Sequence, residues 1–149
     1  THIIFTAPNA DTDGRVIKKM IENFVSTHKE RTTCYTSMGH LNYHSTLQFV
    51  DGVVGNSSSG LAEAPMFKIG TINIGDRQKG RIKAESVIDC DPDKKSISKA
   101  IEKLYSKDFR EKLKTVQNPY VYGNATEKIM NVIKTVPIPK ELKKEFYDL

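Results

Sequence analysis

The run Gly55-Asn56-Ser57-Ser58-Ser59-Gly60-Leu61-Ala62-Glu63-Ala64-Pro65 is the part of this sequence best equipped for chemistry. It follows a short apolar stretch and opens a helical one. Backbone N–H groups at a helix start have no internal partner and sit at the positive end of the helix dipole, so they attract phosphate. Ser57, Ser58 and Ser59 add three hydroxyls, and small residues let an anion approach the backbone. A Ser-rich helix start that binds nothing is the alternative. The spacing is neither GxGxxG nor a Walker loop, so neither motif applies. Glu63 lies one helical turn further on. A carboxylate there repels phosphate but accepts hydrogen bonds from a diol; its plainer role is to sit on the helix dipole.

A second run, Arg77-Gln78-Lys79-Gly80-Arg81-Ile82-Lys83, holds four bases and no acid. A planar, permanently charged guanidinium suits phosphate better than an ammonium does. Arg77 and Arg81 are therefore the candidate anion ligands, and Lys79 and Lys83 read as a solvated loop. The chain's net charge is +5, and its first 75 residues balance, so the whole excess lies beyond them. There is no Trp and no basic stripe interleaved with aromatics, which argues against nucleic-acid binding. His40 and His44 form an i, i+4 pair, but no third ligand accompanies them, so no metal site is expected. GxSxG, a Cys/His nucleophile pattern and a close carboxylate pair are all missing, and general acid–base machinery is thin. Cys34 and Cys90 are too few for a disulfide framework and read as small buried hydrophobes. The sequence opens without a basic-then-apolar leader, and no apolar run nears the ~18 residues of a membrane span. A reducing, cytoplasmic setting is expected.

The elements that must position these residues follow from the hydrophobic pattern. The 149 residues suffice for one domain with one core. Strands are expected at His2–Thr6, Thr32–Met38, Gly52–Asn56, Thr71–Gly75 and Ser86–Cys90. Acidic turn residues before Gly14 cap a helix whose face is Val16, Ile17, Met20, Ile21, Phe24 and Val25. Further helices are expected over Gly39–Phe49, over Ser57–Phe67, after Asp93 through Tyr105, and from Ser106 or Asp108 through Leu113. Asn124 with Glu127 resembles a capping box for a helix to about Thr135, and Lys140–Tyr147 reads as a last polar helix. Short strands, apolar on both faces and separated by helices, mean parallel βαβ units. The fold class is α/β, a Rossmann-like three-layer sandwich with a parallel sheet of about five strands. In such sheets ligands bind beyond the carboxyl ends of the strands, where both runs fall.

Together the two runs, with Ala84-Glu85-Ser86-Val87 after them, closely resemble the hydrolysing UDP-N-acetylglucosamine 2-epimerases. The Asn-Ser-Ser-Ser-Gly and Arg-Gln-x-Gly-Arg signatures are those of the sialic-acid branch. The resemblance is specific over residues 55–88 and looser over the rest. It implies a two-domain fold of the B-type glycosyltransferase kind, with residues 1–149 as the C-terminal, nucleotide-binding half. It implies release of UDP and N-acetylmannosamine from UDP-N-acetylglucosamine, with the catalytic acids in the other half and this half inactive alone. Ser57 and Ser58, with Ser59, match the phosphate loop, Glu63 the acid on the ribose hydroxyls, and Arg77, with Arg81 nearby, an arginine at the phosphates. Ser37-Met38-Gly39 through Tyr43 falls where relatives hold uracil. Many relatives carry a His after the first strand; this sequence reads Ala7-Pro8-Asn9 there, so either Asn9 replaces it as a donor or the contact is absent. The full enzyme is expected to need no cofactor and to be a homodimer. The alternative on the same architecture is the nucleotide-sugar donor domain of a B-type glycosyltransferase.

Overall fold

A computed structural model of the chain describes residues 1–8, 13–121 and 123–138. Asn9 and the expected helix over Lys140–Tyr147 lie outside the described residues. The elements run β1 (Ile3–Thr6), α1 (Gly14–Thr27), β2 (Thr32–Tyr35), α2 (Gly39–Leu47), β3 (Gly52–Gly55), α3 (Ser59–Ala62), a 3-10 turn (Ala64–Phe67), β4 (Gly70–Ile74), β5 (Val87–Cys90), α4 (Lys94–Tyr105), α5 (Lys107–Leu113) and α6 (Ala125–Thr135). Every strand pairing is parallel, as an α/β Rossmann-like chain requires. Their hydrogen bonds form two ladders, β1–β2 and β3–β4–β5, where one sheet was expected. Helices fill the connections except that from β4 to β5. There the basic run forms a turn-rich loop.

The core sits on β4 and β5. Ile72, Ile88, Ala100, Leu104, Phe109 and Leu113 bury together, with Ile74 and Cys90 packed against them. β4 is the central strand of its ladder and is buried from Gly70 through Asn73, polar residues included. Thr71 Oγ1 donates to the Gly60 carbonyl at 2.8 Å, and Asn73 Nδ2 donates to Asp89 at 2.7 Å, while the buried Asn73 Oδ1 has no partner among the described residues. Lys83 Nζ reaches both Asp89 oxygens at 2.7 and 2.8 Å. Burial alone raises a carboxyl's pKa. The bonds from Lys83 and Asn73 outweigh that effect and hold Asp89 below the usual carboxylate range.

Helix ends agree with the sequence in part. The Asp93 carboxylate accepts from Lys95 and Ser96 N–H groups and caps α4, and Ser106, not Asp108, caps α5. The expected capping box at Asn124 does not form. Asn124 is left-handed (φ 52°) and makes no side-chain cap bond. Asp13 likewise precedes α1 without capping it. The apolar face of α1 is only half covered: Ile21 and Val25 are half-buried, while Val16, Ile17, Met20 and Phe24 are exposed. Two paired strands of four residues offer too little area for a face that wide. Cys34 and Cys90 are free and half-buried, not fully buried as expected. Among the described residues no helix is long and apolar enough to cross a membrane.

Two outcomes follow from this packing. Leu104 is 5% exposed and Met20 66%. Leu104→Ala should cost about 2–5 kcal/mol in urea unfolding, whereas Met20→Ala should stay within ~0.5 kcal/mol. Comparable losses would move the core away from β4 and β5. For Asp89, a lowered folded pKa means stability that is present above the ordinary carboxylate range and lost as pH falls through the lowered value. Melting temperatures taken from neutral to strongly acidic pH should fall less in Asp89→Asn than in the parent, and parallel curves would refute the assignment.

Candidate functional site

A cleft of about 540 Å³ opens beside the carboxyl ends of β1, β2 and β3, where α/β folds bind ligands. Thr6, Gly39, Tyr43, Ser57, Ser59 and Glu63 are among its lining residues. The serine-rich turn, the candidate diol acceptor and the segment starting α2 therefore meet at one place.

The expected single helix over Ser57–Phe67 is two shorter pieces, α3 and the 3-10 turn. Pro65 has no N–H to donate back to Leu61, so the α-helical ladder stops and i→i+3 bonds take over. Met66 N–H reaches Glu63 and Lys68 N–H reaches Pro65, at 2.9 and 3.2 Å. The α3 end is also held from a distance. Asn118 Nδ2 donates to the Ala62 carbonyl at 2.8 Å. At the other end, Ser57 Oγ accepts the Ser59 N–H at 3.3 Å, and the Ser58 carbonyl accepts from Leu61 and Ala62. The N–H groups of Ser57 and Ser58 have no partner among the described residues.

Gly60 sets how closely α3 lies on β4. A Cβ there would stand 2.5 Å from Thr71 Cγ2, far inside contact distance. Below the turn, the β4–β5 loop folds back on it. Gly75 ends β4 with φ +75°, a conformation glycine adopts without strain. Two residues later Arg77 Nη1 donates to the Asn56 carbonyl at 3.1 Å, and Gln78 Nε2 donates to the same oxygen at 2.7 Å. Arg77 is exposed, and Gln78 is 2% exposed. The structure thus brings Arg77 beside the serine turn. Ser58, Arg77 and Arg81 are not among the cleft's lining residues. Arg81 is exposed, and its side chain has no partner among the described residues.

On the opposite wall, Tyr43 and His44 of α2 meet α3. The Tyr43 hydroxyl hydrogen-bonds Ser59 Oγ, and His44 Nε2 lies 2.6 Å from Glu63 Oε2. Burial, with the Glu63 charge nearby, raises the Tyr43 phenol above its ordinary value, so it stays neutral and able to donate. His44, Gln78 and Asn118 carried no role in the sequence reading. Gln78 stood inside the quoted signature, and His44 was weighed only as a metal ligand. Asn118, 56 positions from its partner, left no local signal.

A second cleft, of about 480 Å³, lies at the ends of β4 and β5 and is lined by Asp76, Asp89 and Asp91. Its three carboxylates disfavour phosphate, whereas the first cleft is lined by the serine turn.

The family model described as UDP-N-acetylglucosamine 2-epimerase matches residues 1–134. A GDP/UDP-N,N'-diacetylbacillosamine 2-epimerase (hydrolyzing) of Campylobacter jejuni is 38% identical over 99% of this chain and 38% of its own length. The polysialic acid biosynthesis protein P7 of Escherichia coli is 37% identical over 100% of the chain and 38% of its own length. A UDP-N,N'-diacetylbacillosamine 2-epimerase (hydrolyzing) of Legionella pneumophila is 30% identical over 94% of the chain and 36% of its own length. The chain therefore spans well under half the length of these relatives.

Gly60→Ala should destabilise the chain by about 1–3 kcal/mol, because the new methyl group meets a buried β-branched side chain. Adding Thr71→Ser removes Cγ2, keeps the hydroxyl bond to Gly60, and should recover much of that loss. A Gly60→Ala melting point equal to the parent's would show that the close approach is not required.

Proposed function

The chain belongs to the UDP-N-acetylglucosamine 2-epimerase family, and from that premise we propose that it is the UDP-binding, C-terminal half of a hydrolysing 2-epimerase. The observation that carries this reading is the meeting of the serine turn, Glu63 and Tyr43 around one cleft, with Arg77 bonded to the turn. In this arrangement the free N–H groups and hydroxyls at Ser57 and Ser58, with Ser59 alongside, receive the diphosphate. Arg77 adds positive charge at the same place. Glu63 accepts the ribose hydroxyls, and the Gly39–Tyr43 segment flanks the base. Arg81 and Asn9 are further candidate donors that the resemblance carries over.

The substrate is a UDP-linked 2-acetamido sugar. A base removes the C2 proton, UDP leaves from C1 with the C1–O bond, and the pair of electrons from C2–H forms the glycal double bond. Water then adds across that bond with the opposite configuration at C2, giving N-acetylmannosamine from UDP-N-acetylglucosamine. Two of the relatives carry diacetylbacillosamine in their names, so the diacetamido analogue is the competing substrate. The residues described here stabilise the negative charge growing on the departing phosphate, where preorganised donors act most strongly. The proton-transferring groups belong to the half that this chain does not span, and this half is inactive without it.

Calorimetry with UDP should show binding by the full-length protein. Arg77→Ala and Glu63→Ala should each weaken it by about tenfold, while Lys79→Ala leaves it unchanged. Unaltered affinity in both Arg77→Ala and Glu63→Ala would refute the assigned site. Incubation of full-length protein with UDP-N-acetylglucosamine and, separately, UDP-N,N'-diacetylbacillosamine should release UDP and a C2-inverted free sugar from one of them without any acceptor. Release that depends on an acceptor would make the protein a glycosyltransferase instead.

A further inference from the structure

His44 stands behind Glu63 with little freedom of its own. Its ring centroid lies 4.0 Å from that of His40, 5.6 Å from that of Phe67 and 6.1 Å from that of Tyr43. Packed rings on several sides fix the imidazole plane. Its Nε2 meets Glu63 Oε2 at 2.6 Å. A carboxylate only accepts, so Nε2 must carry the proton in this contact. Glu63 Oε1 has no partner among the described residues and is left for another donor. The preceding residue of α2, Tyr43, bonds Ser59, four residues before Glu63. Neighbouring α2 side chains thus grip α3 at the two positions that line the cleft.

A glutamate on a short helix next to solvent samples several rotamers, and ordering it on binding costs free energy. A fixed N–H donor on one oxygen removes that cost and aims the other oxygen. We propose that His44 is a positioning residue. It locks the Glu63 carboxylate in the rotamer that accepts a ribose diol, and so sets the preference for ribonucleotide over deoxynucleotide. This rests on the reading of Glu63 as the diol acceptor. The histidine pair that was weighed as a metal site is instead a tilted ring contact, with His40 against the ring that orients the carboxylate.

The test compares UDP with 2′,3′-dideoxyuridine diphosphate, by calorimetry on the full-length protein. The ratio of their affinities reads the diol contact alone. The parent should prefer UDP by about tenfold or more, and Glu63→Ala should abolish that preference. His44→Phe keeps the ring packing but removes the donor, and should reduce the preference to a small fraction of the parent's. His44→Gln places an amide N–H at nearly the reach of Nε2 and should restore most of it, while His44→Asn, which is too short, should not. Melting curves of each variant confirm folding, and if His44→Phe does not fold, the Gln and Asn variants decide. A full preference in His44→Phe, or equal preference in the Gln and Asn variants, overturns the positioning role while leaving the Glu63 reading intact. A full preference in Glu63→Ala overturns both.

Discussion

Gly60 lies on Thr71 with no room for a side chain between them. That contact fixes the height of α3 above β4, and the other groups of the cleft take their places from it. Thr71 occupies the central strand and is almost wholly buried, so it cannot yield. Its hydroxyl donates to the Gly60 carbonyl, which keeps the buried oxygen satisfied at the closest point of approach. With α3 seated there, Ser57 begins the turn, Ser59 faces Tyr43, and Glu63 comes within reach of His44. A longer helix would not serve. Pro65 ends α-helical bonding within one turn of the serines and leaves Glu63 at the junction of two helix types.

On the proposed reading, a turn that receives an anion keeps its own N–H groups unspent. Here the holding is done from outside. Arg77 and Gln78 donate to the Asn56 carbonyl from below, and Asn118 donates to Ala62 from the far end. Both sets of donors use carbonyls and leave the Ser57 and Ser58 N–H groups unspent. The Arg-Gln-x-Gly-Arg signature is therefore as much a scaffold for the serine turn as a source of charge. Gln78 does the buried part of that work and Arg77 the exposed part.

Element order, the parallel strand class and the serine turn are legible in the sequence because they depend on local signals: apolar runs, turn residues and a helix start. The α4 and α5 caps are legible for the same reason, since Asp93 and Ser106 act on N–H groups two or three residues away. Asn124 carries an equally good local signal and does not cap, because its left-handed backbone aims the side chain elsewhere. What is not legible is long-range. The division of the sheet into two ladders, the exposed half of the α1 face and the reach of Asn118 all depend on which surfaces meet. His44 is the sharpest case. Its spacing from His40 suggests a shared ligand, but its partner is a glutamate nineteen positions away, just after α3.

The chain's positive excess narrows in the same way. Lys83 is held by Asp89, Arg110 by Asp51 and Lys114 by Glu111, so these charges belong to the scaffold. What remains beside the serine turn is Arg77. An ammonium there could not replace it. A guanidinium has donors on more than one edge of a rigid plane. One edge holds the Asn56 carbonyl, and that bond fixes the plane. On the proposed reading, the remaining N–H groups then meet an anion with less ordering left to do. A lysine bonded to the same carbonyl would keep its charge on a flexible stem, and its position would have to be settled again at each binding event.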